Sequence, residues 1–336
     1  MLTSAQKMIF RSIGVTLGDF PNSIGLVYAP TKLVMTLTKE AAGFSNPINM
    51  QDNRACFEAW CLIIKAKTSN PGLEIELNVD GITVASYPGG KPANGHLGRF
   101  LYRILKFSEQ YKGWFKLSPI LDNLKDKFKI YLDSHTFVTS APAKKPKEDI
   151  ANYNLESYVE YLFCDSISAQ KDILNLPSGT TIDRQLPVSL FDGTKSSTTG
   201  VFTGGKSAID FWALDGATIN VYELKSNNPM VGIITEIFFY SNYVHDVFIS
   251  KSLDHGKGCV KPEDGTYRSY DKIKGDQVKG IMLSNSNGWH SRLDALSRTE
   301  IENIMNTNGM SGAIQYEFLE YKLNRLRIGG YYISKP

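Results

Sequence analysis

The spacing of hydrophobic positions changes several times along the chain, and each change marks an element. Leu97, Phe100, Leu101, Ile104 and Leu105 recur three and four residues apart, predicting a helix with one packed face, and Arg99, Arg103 and Lys106 fall together on its other side. Before it, Arg54 to Lys67 has helical composition. Leu73, Ile75, Leu77 and Val79 then alternate with Glu74, Glu76 and Asn78, as in a strand, ahead of an Asp80-Gly81 turn that reads as a hairpin. Leu121 to Leu132 reads as a further helix carrying Lys125, Lys127 and Lys129. Beyond residue 150 the pattern predicts a helix from Asn154 to Phe163 and strands from Thr181 to Leu190, Ala208 to Leu214 and Thr218 to Lys225. A helix from Val231 to Phe248, a strand from Gln277 to Ser284, a helix from Thr299 to Met305 and a strand pair, Ala313 to Leu323 with Leu326 to Ile333, complete the series.

Between the two series lies 141–149, a Pro- and Lys-containing stretch that reads as a linker, so the chain divides into an N-terminal α+β domain, 1–140, and a second domain, 150–336. A length of 336 residues with 42% hydrophobic and 21% charged content fits two globular domains and excludes a disordered, collagenous or coiled-coil chain. Charge is uneven: residues 1–149 hold 19 basic and 13 acidic side chains, whereas 150–336 hold 18 and 21. A basic front half suits a polyanionic partner, with a solvated helix face as the plainer explanation. No apolar run is long enough to cross a bilayer, and the N-terminus has no signal-peptide pattern. Cys56, Cys61, Cys164 and Cys259 form no CxxC pair and suit a reducing cytoplasm, and His255-x3-Cys259 lacks the second ligand pair of a zinc site.

The chemistry gathers where two strands meet. Asp215-Gly216 suits a tight type I′ turn between the strands beginning at Ala208 and Thr218, which pairs Leu214 with Ala217 and sets Asp210 across from Val221, with Glu223 diagonal on the same face and Lys225 two residues on. Two carboxylates and a lysine on one otherwise apolar sheet face need a compensating partner, because burying unpaired charge costs several kcal/mol. A divalent cation supplies it. Asp210, Glu223 and the main-chain carbonyl of Leu224 are hard oxygen ligands suited to Mg²⁺, for which Mn²⁺ can substitute, and Lys225 could hold or help deprotonate a water and offset charge at a phosphoryl centre.

Asp210 followed by Glu223-Leu224-Lys225 resembles the PD-(D/E)XK nuclease superfamily, the restriction-endonuclease-like fold. The resemblance covers about residues 150–290 and leaves the N-terminal half outside it. It implies a mixed α/β fold with an αβββαβ core and a mixed central sheet. It also implies an acidic residue on the first helix, Glu156 or Glu160, supporting the metal. A polar residue and a tyrosine four apart on the helix after the ExK triplet are common in that superfamily, often after a glycine. Gly232, Glu236 and Tyr240 have this spacing, with glutamate in place of the usual glutamine. The triplet alone is weak: Glu320-Tyr321-Lys322 is a second ExK without a hairpin-linked aspartate.

The function expected on this basis is Mg²⁺-dependent endonucleolytic hydrolysis of DNA, duplex first, by Asp210, Glu223, Lys225 and Glu156, with Asp210, Glu223, Leu224 and Glu156 around the metal. Lys206, Glu236, Tyr240, Arg99, Arg103 and Lys106 are the expected nucleic-acid contacts, and a homodimer would match a two-fold duplex. A nuclease-like module that binds without turnover and a structural or assembly protein are the alternatives. Recognition sequence and cleavage position are not legible.

Overall fold

The computed structural model describes residues 2–83, 90–139, 154–203, 207–226, 229–253, 273–307, 309–326 and 330–336. Among these the chain is mixed α/β, with eight α-helices and three sheets. In the N-terminal half, α1 (Ser4–Ser12), α2 (Phe57–Lys67), α3 (Gly95–Gln110) and α4 (Pro119–Ser134) accompany a sheet of β1 (Gly25–Ala29), β2 (Lys32–Leu37), β3 (Glu74–Val79) and β4 (Phe115–Leu117). A short β5 (Phe137–Val138) pairs with β7 (Phe191–Asp192). The remaining helices are α5 (Leu155–Asp165), α6 (Ile167–Asp172), α7 (Gly232–Val244), which runs on into a π-helical turn at His245–Ile249, and α8 (Ala295–Asn306). The remaining strands are β6 (Thr181–Pro187), β8 (Ala208–Asp215), β9 (Thr218–Lys225), β10 (Gln277–Asn285), β11 (Ile314–Arg325) and β12 (Tyr331–Ser334).

The large sheet runs β12-β11-β10-β9-β8-β6, with β9, β10 and β11 parallel to one another and the outer pairings antiparallel. Period-2 alternation splits its side chains between two apolar clusters. Phe211, Ala213, Tyr222 and Leu224 pack with Val159 and Phe163 of α5, while Trp212, Ile219 and Val221 join the cluster that includes Ile237 and Phe238 of α7. Covered on both faces, β9 is buried at every position after its first residue, and Glu223 and Lys225 continue the α7-side row of Ile219 and Val221.

All thirteen residues of α7 are buried, since α2 and α3 pack on the helix together with β9 and β10. One apolar cluster therefore runs from Phe57 and Phe107 of the N-terminal half to Phe238 of α7 without interruption, and the Phe107 and Phe238 rings meet edge-on at 5.4 Å. Within it lies an ion pair: Arg103 Nε donates to Glu58 Oε1 at 2.6 Å, its Nη2 to the Ala55 carbonyl at 2.9 Å, and Thr235 Oγ1 of α7 to Glu58 Oε2 at 3.0 Å.

Three sequence expectations change. The segment after β3 makes no hairpin among the described residues, because β3 lies between β2 and β4 and is parallel to both. The turn joining β8 to β9 uses Gly216-Ala217, not Asp215-Gly216: Asp215 pairs with Thr218, and Gly216 alone takes a positive φ, 58°, the pattern of a turn with glycine first. The face of α3 expected to be basic and solvated is covered, with Arg103 2% exposed on Glu58 and Lys106 paired to Asp246 at 2.6 Å. Periodicity identifies which side of a helix differs, not what packs there. The 141–149 stretch, Lys206, His255 and Cys259 lie outside the described residues.

Because Arg103 is one half of a buried pair, Arg103→Met should lower unfolding free energy by about 3–5 kcal/mol. A loss under about 0.5 kcal/mol in urea denaturation, typical of surface substitutions, would contradict this placement.

Candidate active site

The observed hairpin brings its acids closer than the expected one. With Phe211 paired to Tyr222, continuing the ladder by one residue sets Asp210 directly across from Glu223. The stacked Phe211 and Tyr222 rings, centroids 4.4 Å apart, pin this register from the opposite face. Relative to the expected pairing the register moves by two residues, which leaves every side chain on its own face.

Asp210 Oδ2 accepts the Leu224 N–H at 2.7 Å, so the carboxylate is tied to the adjoining strand. Lys225 Nζ donates to Glu223 Oε1 at 2.6 Å and lies 3.1 Å from Glu236 Oε2 and 3.9 Å from Glu156 Oε1. Glu223, Lys225, Glu236 and Tyr240 are all buried, and Asp210 is half-buried. Glu156 keeps 35% of its side chain exposed and lines the cleft, whereas buried Glu160 is held by Arg184 Nη2 at 2.8 Å and Gln185 Nε2 at 2.9 Å. Of the two candidate helix acids, Glu156 is therefore the one open to the site. Asn154 positions it by capping α5 through the Ser157 N–H.

A cleft of about 430 Å³ opens over these groups, and its far wall comes from the N-terminal half: Asn49, Gln51, His96 and Arg99. Gly232 makes that closure possible, because a Cβ there would stand 2.1 Å from the Gln51 carbonyl oxygen. Tyr240 also lines the cleft, with its hydroxyl 3.5 Å from Ser207 Oγ. Arg103 and Lys106, expected as nucleic-acid contacts, do not line it, being engaged with Glu58 and Asp246.

Sequence reasoning missed Gln185, His96, Asn49, Gln51 and Thr203. Gln185 had a faint signal, since Arg184-Gln185 breaks the apolar pattern of its strand. It adopts φ 56° between the paired residues Arg184 and Leu186, leaving the position opposite Asp210 out of the ladder. A left-handed glutamine inside a strand is costly, and such strain concentrates at sites where the surroundings hold it in place. Asn49, Gln51 and His96 come from a loop and a helix far away in sequence, for which no local pattern exists, and Thr203 lies in the Ser/Thr/Gly-rich loop before β8, where composition marks the loop but not the residue.

Four carboxylates, Asp210, Glu223, Glu236 and Glu156, thus share one lysine. Burial pushes the Asp210 carboxyl well above its usual range, more than offsetting Lys225 and the Leu224 N–H; burial and then Asp210 and Glu236 raise Glu223 likewise. Burial acts to lower Lys225, but Glu223, Glu236, Asp210 and Glu156 together hold its ammonium well above the ordinary value. Burial, with Glu236 and Glu160, also raises Glu156 despite Lys225. Glu223 Oε2 is buried without a hydrogen-bond partner, and Glu236 Oε2 has only its ion pair with Lys225.

A buried excess of carboxylates over cations is the donor set a hard divalent cation takes, and the residues fit one. Among the described residues no group of three or more His, Cys, Asp or Glu side chains could hold a metal alone, so main-chain oxygen or water would have to complete the shell. No protein-family model, curated protein or solved structure matches this chain.

A raised acid pKa means that the folded state binds the proton more tightly than the unfolded chain. Asp210 and Glu223 therefore cost stability above their folded pKa values, and that cost is relieved as pH falls through those values toward the ordinary carboxylate range. Asp210→Asn keeps the acceptor for Leu224 and removes one charge, so in EDTA at neutral pH it should melt higher by roughly 1–3 °C. A lower Tm in differential scanning calorimetry would refute the charge excess.

Proposed function

We propose that this protein is a metal-dependent nuclease with a restriction-endonuclease-like core, hydrolysing phosphodiester bonds in DNA. The observation that carries the reading is the pairing of Asp210 and Glu223 across one hairpin, beside Lys225, in a cleft with more buried carboxylate than cation. The order α5, β6, β8, β9, α7, β10 supports it, with α7 linking two parallel strands. So does the cleft's position at one end of the β8–β9 pair, and α6 and β7 are additions to the core.

Asp210 and Glu223 would hold Mg²⁺ or Mn²⁺, with Glu156 and the Leu224 carbonyl as further oxygen donors. Bound there, the metal would supply Lewis-acid stabilisation of the phosphoryl oxygens and a more acidic water. The chain's own groups divide the remaining work. Lys225 stays protonated, held so by its carboxylate neighbours, and acts as a hydrogen-bond donor and fixed positive charge, not as a base. Glu156, partly exposed and with a raised pKa, is placed to take the proton of an attacking water. Glu236 orients Lys225 from the α7 side. A homodimer and a cytoplasmic setting remain part of the proposal as secondary features.

Plasmid, single-stranded DNA and RNA incubated with the protein in Mg²⁺, Mn²⁺ or EDTA provide the test. Cutting should need the metal and prefer DNA, and Lys225→Ala should reduce its rate by about 10²-fold or more. Metal-independent cutting, or a Lys225→Ala rate equal to wild type, would falsify the assignment.

A further inference from the structure

On the wall of the cleft facing the carboxylates sits a cation with the opposite need. Arg99 is 5% exposed and lines the cleft, yet its Nε has no hydrogen-bond partner. Among the described residues its guanidinium makes one hydrogen bond, from Nη2 to His96 Nδ1 at 3.2 Å, and no ion pair with a carboxylate. Arginine only donates, so His96 Nδ1 is the acceptor, and the same ring also hydrogen-bonds the Ile48 backbone. The loop before α2 thus orients His96, and His96 orients Arg99. Burial draws Arg99 down to about 10, with Tyr240 and Glu236 opposing and Arg103 adding to the shift. A guanidinium withdrawn from water with donors to spare is a site for an anion, and its planar fork matches phosphate oxygens.

The same cleft is bordered by Thr203, whose Oγ1 is also buried without a partner. Thr203 lines a second cleft as well, of about 740 Å³, walled by Asn94 and Phe202 and by the hydroxyl-rich loop of Lys195, Ser196, Ser197 and Thr198. The two clefts are locked together by the fit of α3 against 201–203, where a Cβ on Gly98 would lie 1.7 Å from the Val201 carbonyl oxygen.

Resting on the nuclease reading, we infer that the substrate is a polynucleotide strand that spans both clefts, with Arg99 gripping a phosphate beside the one that is cut, Thr203 donating to it at the junction, and the strand continuing along the Lys195–Thr198 wall. Arg99 is a positioning residue here and His96 its support. The carboxylates favour a cation and Arg99 an anion, so one cleft accepts metal and phosphodiester together. The second cleft gives the inference its polymer requirement, because a mononucleotide has nothing to place there.

Equilibrium binding in EDTA of a labelled single DNA strand of about 12 nucleotides, and separately of inorganic pyrophosphate, tests it. Arg99→Gln should weaken both probes about ten-fold or more and reduce the salt dependence of strand binding by about one phosphate contact. His96→Asn, which offers an acceptor where Nδ1 stood, should stay near wild type, whereas His96→Leu should fall toward Arg99→Gln. Lys195→Gln should weaken the strand and leave pyrophosphate unchanged. Thermal unfolding of each variant separates lost binding from lost folding, and loss of an unpaired buried charge should not lower Tm.

Wild-type protein that cuts DNA while Arg99→Gln binds the strand equally well overturns this inference and leaves the nuclease reading standing. Pyrophosphate binding that depends on Arg99 in a protein that cuts no nucleic acid preserves the anion grip and removes the nuclease reading. Wild-type protein that binds neither probe overturns the inference outright, as does a Lys195→Gln variant that binds the strand as wild type does.

Discussion

Everything in this molecule is arranged around a helix with no face to the solvent. Once α7 lies between the large sheet and the N-terminal helices, every polar group on it must find a partner inside the protein or pay the desolvation cost of about 1–3 kcal/mol. Thr235 finds Glu58, itself clamped by Arg103. Asn242 accepts from Gln110 Nε2 at 2.6 Å and donates to the Phe238 carbonyl at 2.8 Å. In this setting of the helix Glu236 meets Lys225 and Tyr240 reaches the cleft. The helix is thus what makes the two halves of the chain one framework for a single site.

At that site the balance of buried charge is broken. Elsewhere in the core a buried charge has its complement, as Arg103 has Glu58. In the cleft the carboxylates outnumber the lysine, Glu223 Oε2 is unpartnered, and Arg99 across from the carboxylates has an idle donor. The two imbalances have opposite sign and share a volume of about 430 Å³. Native structures tolerate such local debts where a ligand settles them, and the well-packed apolar surroundings supply the stability that the site gives up. Gln185, held left-handed opposite Asp210, belongs to the same exception.

Much of this was legible before any coordinates. The α5, β8, β9, α7 and β10 segments follow from hydrophobic period and turn residues, and the acids of the hairpin share a face because side-chain direction alternates strictly along a strand. That parity survived an error in the turn: choosing Asp215-Gly216 in place of Gly216-Ala217 moved the register by two residues and left Asp210, Glu223 and Lys225 on the same face. The α3 face failed because periodicity separates two sides of a helix without saying what covers the second. Arg103 carries the same charge whether it meets water or Glu58, and Glu58 lies 45 residues away.

By itself, then, the sequence determined which short segments become helix or strand, and which residues within one hairpin stand side by side, because both depend on contacts a few residues apart. Only the tertiary structure decided that Glu156 and not Glu160 opens to the cleft, that Arg99 faces it while Arg103 and Lys106 do not, and that the loop of Asn49 and Gln51 closes against Gly232. Those outcomes rest on packing between segments distant in the chain, where burial, not residue type, sets what a charge can touch.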